Sequence, residues 1–247
     1  MSGWEPLAVI LAGISAGAIN TVVGAGTLVT FPTLLAVGLP PVTANVSNTV
    51  GLIPGSVSAA WGYRRELAGQ QSRLLRIGTA TMLGAITGAV LLLALPESAF
   101  EAVVPALILL ACLLVLVQPV LVRQLRSRPR HPHGGPVAWL LILVTGGYAG
   151  YFGAGQGVIL IAVLGLVMEE TLQHVNAVKN VLAGLGNLVA AVVFVVVADV
   201  DWQAAALIAV GTATGGIVGA GIARRLPEMA LRATAVAVGL AAVALLR

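Results

Sequence analysis

The residues able to bind a solute fall in two matched clusters. Asn20-Thr21-Val22-Val23-Gly24-Ala25-Gly26-Thr27 and Gly153-Ala154-Gly155-Gln156-Gly157 are glycine turns flanked by neutral hydrogen-bonding side chains, and an apolar run follows each. Glycine permits positive φ and close approach of a ligand to the backbone. A helix restarting after such a turn has unpaired N–H groups and about half a positive charge at its N-terminus, which together suit an anion. Asn20, Thr21, Thr27 and Gln156 add uncharged hydrogen bonds, and Gly24, Gly26, Gly153 and Gly155 give the backbone its freedom. The alternative is a pair of plain turns at the water interface, which need the same residue types.

Further along each half lie Asn45-Val46-Ser47-Asn48-Thr49 and His174-Val175-Asn176-Ala177-Val178-Lys179-Asn180. Asn176 and Asn180 are four apart and share a helix face with Lys179. Lys179 is the sole lysine, at the start of a long apolar stretch. A cation inside a membrane is expensive and serves function; this one could neutralise a bound anion, or else snorkel to the interface. Asn45, Asn48, Thr49 and the downstream Asn187 either coordinate substrate or pack helices through hydrogen bonds. His174 is a candidate for proton coupling, against the plainer reading of a surface histidine.

Other chemistries lack their residues. Cys112 is the only cysteine, so an intrachain disulfide or dithiol relay is out. No metal-ligand cluster or nucleotide-binding glycine loop is visible, which argues against ATP-driven transport. No acid/base pair or nucleophile stands out, and the chain does not read as an enzyme. His131 and His133 read as solvated linker residues.

These clusters need a scaffold, and composition says which. With 59% hydrophobic and 9% charged residues and a mean hydropathy of +1.03, the chain cannot cover itself with a water-compatible surface, since soluble domains carry about 25% charged residues. Runs such as Ile77–Leu95 and Val103–Val122 approach the roughly 20 residues a helix needs to cross the hydrocarbon. Strand-like alternation is absent, which disfavours a barrel. The net charge of +4 does not signal nucleic acid, because Arg64, Arg65, Arg73, Arg76 and Arg123, Arg126, Arg128, Arg130 gather in two short segments that mark a cytoplasmic side. Trp4, Trp61, Tyr63, Trp139 and Trp202 sit at segment ends as interfacial anchors. Met1–Pro6 lacks the basic start of a signal peptide, so the first apolar stretch reads as retained structure.

The chain also repeats itself. Gly78-Thr79-Ala80-Thr81 recurs as Gly211-Thr212-Ala213-Thr214, in the same order relative to the glycine turns and the asparagine clusters. The halves are expected at residues 1–122 and 137–247, joined by a cytoplasmic linker at 123–136 rich in proline and glycine. Arg64, Arg65, Arg73 and Arg76 precede the first GTAT helix and Glu97 and Glu101 follow it. Asp199 and Asp201 precede the second, and Arg224 and Arg225 follow it. The basic flank swaps ends, which predicts two inverted repeats. Each repeat is then a broken or re-entrant helical hairpin (Leu7–Leu39 and Val137–Val167) followed by three transmembrane helices, in an all-α integral membrane fold. Eight simple helices are the alternative. Gly13/Gly17, Gly84/Gly88, Gly146/Gly150 and Gly211/Gly215/Gly219 supply small faces for close packing in lipid.

The stretches Ala16-Gly17 through Asn20–Gly26, Phe31-Pro32-Thr33-Leu34-Leu35, Gly38-Leu39-Pro40-Pro41 and Ala44–Thr49, with Gly150–Gly157 and Asn176–Asn180, resemble the signature of the TauE/SafE sulfite exporter family. The resemblance covers essentially the whole chain, although Thr27 stands where many members carry glycine or another small residue. It implies carriage of sulfite, thiosulfate or a small organosulfonate without ATP. The expectation is a multi-pass protein of the cell (inner) membrane, moving a small anion by alternating access. Its partners are the anionic substrate and membrane lipid, not nucleic acid; it needs no cofactor beyond a coupling H+ or Na+, and a homodimer is compatible. A passive channel and a carrier of a non-sulfur anion such as a carboxylate remain the alternatives.

Overall fold

The computed structural model describes residues 3–125, 135–168, 170–222 and 228–245, and among them the chain is helical with no strand. The first half contains α1 (Glu5–Val22), α2 (Thr27–Ala36), α3 (Pro41–Gly51), α4 (Ile53–Gly62), α5 (Gln71–Ala94) and α6 (Glu97–Leu125). The second contains α7 (Gly135–Tyr151), α8 (Gln156–Val167), α9 (Leu172–Val197), α10 (Trp202–Ile222) and α11 (Glu228–Leu245). Among the described residues, five helices are long and apolar enough to cross a membrane: α1, α5, α6, α9 and α10.

The helix that follows each glycine turn is too short to span. At 1.5 Å per residue α2 covers about 15 Å and α8 about 18 Å, against roughly 30 Å of hydrocarbon. Glycine ends the helix before each turn in the same manner. The amides of Val23 and Gly24 both return to the Ile19 carbonyl, and those of Phe152 and Gly153 both return to Tyr148. Gly24 (φ +83) and Gly153 (φ +76) take the left-handed conformation that such caps favour. α2 then doubles back along α1, so closely that a Cβ on Gly26 would lie 2.6 Å from the Ala16 carbonyl oxygen.

The apolar stretch at residues 46–63, the first of the three helices expected after the first hairpin, falls in two helices. Pro54 lies in the first turn of α4, where it has no N–H to continue the ladder from α3, and the helix re-forms after Leu52. The matching stretch of the second half has no proline and runs unbroken as α9. The linker is shorter than 123–136, because α6 extends to Leu125 and α7 begins at Gly135. Arg126, Arg128, Arg130, His131, His133, Arg224 and Arg225 lie outside the described residues.

Helices with small faces pair across the halves. Along α1 and α10, Gly13 meets Gly211, Gly17 meets Gly215 and Gly216, and Ala18 meets Gly219. Along α5 and α7, Gly84 meets Gly146 and Gly147, and Gly88 meets Gly147 and Tyr151. The contacts advance together along both members, so each pair runs parallel. A Cβ on Gly17 would stand 2.5 Å from the Thr212 carbonyl oxygen, so only glycine permits this approach in lipid. Both hairpins lean on α6 through an aromatic cluster in which Phe31 of α2 meets Phe152 edge-on at 5.1 Å and Phe100 of α6 at 6.5 Å.

Gln70 and Arg73, at the start of α5, bond to Glu170 just before α9. The loop at 63–70 and the turn before α9 therefore share one end of the bundle. The 26 residues of α9 lead away from it to Asp199, about 39 Å along the helix.

Candidate functional site

The two glycine turns meet inside the protein. The Gly157 amide donates to the Gly24 carbonyl at 3.1 Å. A Cβ on Gly24 would lie 2.9 Å from the Gly157 carbonyl carbon and closer still to its Cα. Residues 21–32 and 152–158 are buried throughout. Each turn opens a short helix, and among the described residues the amides of Ala25, Gly26, Thr27, Ala154 and Gly155 find no acceptor. That is a cluster of unpaired donors at two converging helix N-termini, away from bulk water, and it can accept a compact anion.

Lys179 has 0% exposure, which excludes the snorkelling alternative. Its Nζ donates to the carbonyl oxygens of Asn20 and Thr21, each at 3.0 Å. Those carbonyls belong to the last turn of α1 and have no amide partner, so a cation from the opposite half caps the negative end of α1 beside its glycine turn. Asn180 Nδ2 adds a longer contact of 3.5 Å to the Thr21 carbonyl. Asn20 and Thr21 thus bring their backbone oxygens to this corner; the Thr21 hydroxyl is spent on Gly17 within its own helix.

Asn48 lies at the position matching Lys179. It is fully buried; its Oδ1 accepts from Thr30 Oγ1, and its Nδ2 donates to Thr27 Oγ1 at 3.5 Å, which locks α3 onto the start of α2. Asn45 Nδ2 donates to the Tyr151 carbonyl at 3.0 Å, and its buried Oδ1 has no partner. Gln156 Nε2 donates to Asn187 Oδ1 at 3.1 Å, whereas Asn187 Nδ2 and Asn176 Oδ1 are buried without partners. The structure therefore brings Gly24, Gly26, Asn45, Asn48, Gly153, Gly155, Gln156, Lys179 and Asn180 to the meeting of the hairpins.

Thr49 and His174 are engaged elsewhere. The Thr49 hydroxyl bonds to the Asn45 carbonyl in its own helix. His174 pairs through Nδ1 with Thr171 Oγ1 at 2.9 Å, at the exposed start of α9. Two pairing residues, one at the site and one at the end of the bundle, escape the sequence reading. Thr30 is one turn beyond Thr27 in an otherwise apolar helix, and its spacing was the available signal. Glu170 is the other, and it faces the converging Gln70 and Arg73, with Arg73 Nη1 2.6 Å from Oε1. Burial alone would raise its carboxyl, but hydrogen bonds from Arg73 and Gln70 and the charges of Arg73 and His174 prevail and hold it below the ordinary carboxylate value. Among the described residues no group of three or more His, Cys, Asp or Glu could hold a metal.

Comparison with known proteins gives this architecture its relatives. Residues 9–246 match the family model described as Sulfite exporter TauE/SafE. The chain is 27% identical over 205 residues to the probable membrane transporter protein YfcA of Escherichia coli K12, covering 83% of this chain and 75% of that one. It is 27% identical over 224 residues to a probable membrane transporter protein of Haemophilus influenzae, covering 88% and 85%. It is 29% identical over 149 residues to the probable membrane transporter protein ORF9 of a Sinorhizobium species, covering 60% and 56%. Apolar helices that can cross a membrane, a buried polar centre and a family match over nearly the whole length lead to one conclusion: this chain is a multi-pass membrane transporter and belongs to the TauE/SafE sulfite exporter family.

Proposed function

We propose that the protein is a secondary carrier that moves a small anion, sulfite or a related sulfur oxyanion or organosulfonate, by alternating access between two inverted halves. The observation that carries this reading is the buried meeting of Gly24 and Gly157, with unpaired amides on both turns and Lys179 one helix end away. A tetrahedral or pyramidal oxyanion presents several acceptors to several directions, which two converging amide clusters can satisfy at once. Neutral donors with a nearby cation hold an anion without trapping it, and a carrier must also release.

Helix directions support the inversion. α4 ends at the 63–70 loop from which α5 sets out, so those two run in opposite senses. α10 runs alongside α3 and α4 in the same sense, with Gly51 at Ile208, Gly55 at Thr212 and Ser58 at Gly216. Since α1 is parallel to α10 and α7 is parallel to α5, α1 and its counterpart α7 point opposite ways. Each hairpin packs partly against the other half, as rocking of one repeat on the other requires.

The test is uptake of labelled sulfite into proteoliposomes, with unlabelled sulfite, thiosulfate, sulfoacetate or acetate preloaded inside. A carrier accelerates uptake when its substrate is trapped on the far side; a pore does not. Saturable, trans-stimulated uptake by a sulfur oxyanion is expected. Uptake that ignores the internal solute contradicts the carrier mechanism, and stimulation by acetate alone contradicts the substrate class.

A further inference from the structure

The ends of α1 and α7 are equivalent in the repeat, yet only one is neutralised. At α1, Lys179 Nζ holds the Asn20 and Thr21 carbonyls. The counterparts at α7 are the carbonyls of Ala149 and Gly150, both buried residues, and no donor among the described residues reaches either. The residue matching Lys179 is Asn48, which is uncharged and occupied with Thr30 and Thr27. Beside the α7 end sits Asn45, 1% exposed. Its Nδ2 bonds to the next carbonyl, Tyr151, at 3.0 Å, and this fixes its Oδ1 as an acceptor that has no partner. Buried acceptors with no donor, at the negative end of a broken helix, call for a positive charge.

We propose that a dehydrated monovalent cation of the sodium type binds at the carbonyl end of α7, held by the backbone oxygens of Ala149 and Gly150 and by Oδ1 of Asn45. It supplies at α7 the charge that Lys179 supplies at α1. The ligands are neutral oxygens, which suit a singly charged ion; calcium and magnesium sites rely on carboxylates. Gly153 to Gly155 follow directly, so the ion adds positive charge beside the amides of Ala154 and Gly155. This inference rests on the carrier reading for its purpose: each ligand then raises the other's affinity by the same factor, which is the thermodynamic form of ion coupling.

The experiment is thermal unfolding of the purified protein in detergent, with sodium chloride exchanged for choline chloride or potassium chloride at constant total chloride and no sulfur anion present. An ion that binds only the folded state raises the melting temperature steadily with the logarithm of its concentration. Sodium is expected to do so and choline not. In Asn45→Ala the sodium concentration at which stabilisation sets in is expected to rise about 10-fold or more, the scale on which loss of a supporting contact weakens a bound metal. Asn48→Lys, which places an ammonium where Lys179 has its own, is expected to abolish the sodium response. Equal melting in sodium, potassium and choline overturns the proposal and assigns these carbonyls to water. So does an unchanged onset concentration in Asn45→Ala, a measurement that stands even if Asn48→Lys fails to fold. A sodium response without sulfite uptake leaves this site intact and refutes only the carrier reading.

Discussion

The contact between the two glycine turns can be dissected with three alanine substitutions that separate its physical causes. Gly38 has φ +90 and nothing within 4 Å of a Cβ, so Gly38→Ala meets only backbone strain, about 1–2 kcal/mol for a left-handed residue. Gly157 has ordinary φ but faces Gly24, so Gly157→Ala meets only the collision with Gly24 Cα and, at 3.0 Å, its carbonyl oxygen. Neither obstacle is a side chain that can swing away, so the cost lies at or above the upper end of overpacking, about 3 kcal/mol. Gly24→Ala combines both, for about 4–5 kcal/mol. For a chain of this size each kcal/mol lowers the melting temperature by about 2–4 °C. Gly38→Ala is therefore expected to melt a few degrees early and transport normally. Gly157→Ala should melt roughly 10 °C early, Gly24→Ala still earlier, and both should lose uptake. The assay pairs melting in detergent with proteoliposome uptake. If Gly157→Ala melts and transports like Gly38→Ala, the turns are not in contact and the reasoning fails.

Three further predictions follow from single contacts. Lys179→Gln keeps a donor for the α1 carbonyls but removes the charge, so the fold should survive within about 1–3 kcal/mol while stabilisation by added sulfite disappears; a full sulfite shift in this variant would remove Lys179 from the site. Glu170 is held below its ordinary value, so its ion pair with Arg73 contributes fully above the unfolded carboxylate range and is lost as pH falls through the lower, folded value. Glu170→Gln should cost under about 1 kcal/mol at pH 7 and flatten the loss of stability below about pH 4, measured by melting against pH. Asp201 Oδ1 accepts from the Ala204 amide at 2.8 Å and caps α10, so Asp201→Ala should cost about 1 kcal/mol; no change in melting would deny the cap.

Much of this site was legible because its signals are local and doubled. Glycine beside glycine at 24–26 and again at 153–155 marks turns that no other residue forms cheaply, and repetition in one order separates the pattern from chance in a glycine-rich chain. The asparagine clusters were legible for the same reason. What escaped depends on distant partners. Lys179 stands out as the sole lysine beside a long apolar stretch, but its acceptors are Asn20 and Thr21, 159 and 158 residues away, and a backbone oxygen carries no mark in a sequence. The break between α3 and α4 was hidden by hydropathy, which does not distinguish Pro54 in a spanning run from an ordinary apolar residue. Arg73 reads in the sequence only as a topology determinant, because its pairing with Glu170 joins two segments 97 residues apart.

The proposed carrier requires the two halves to lie in opposed orientations, and compartment labelling measures this. Single cysteines replace Arg65 and Asp199, both exposed, in a Cys112→Ala background, and intact cells are treated with a thiol reagent that cannot cross the membrane. Asp199→Cys should react from outside and Arg65→Cys only after the membrane is opened. Labelling of both from the same side would place the ends of α9 together and leave no buried meeting of hairpins to bind an anion.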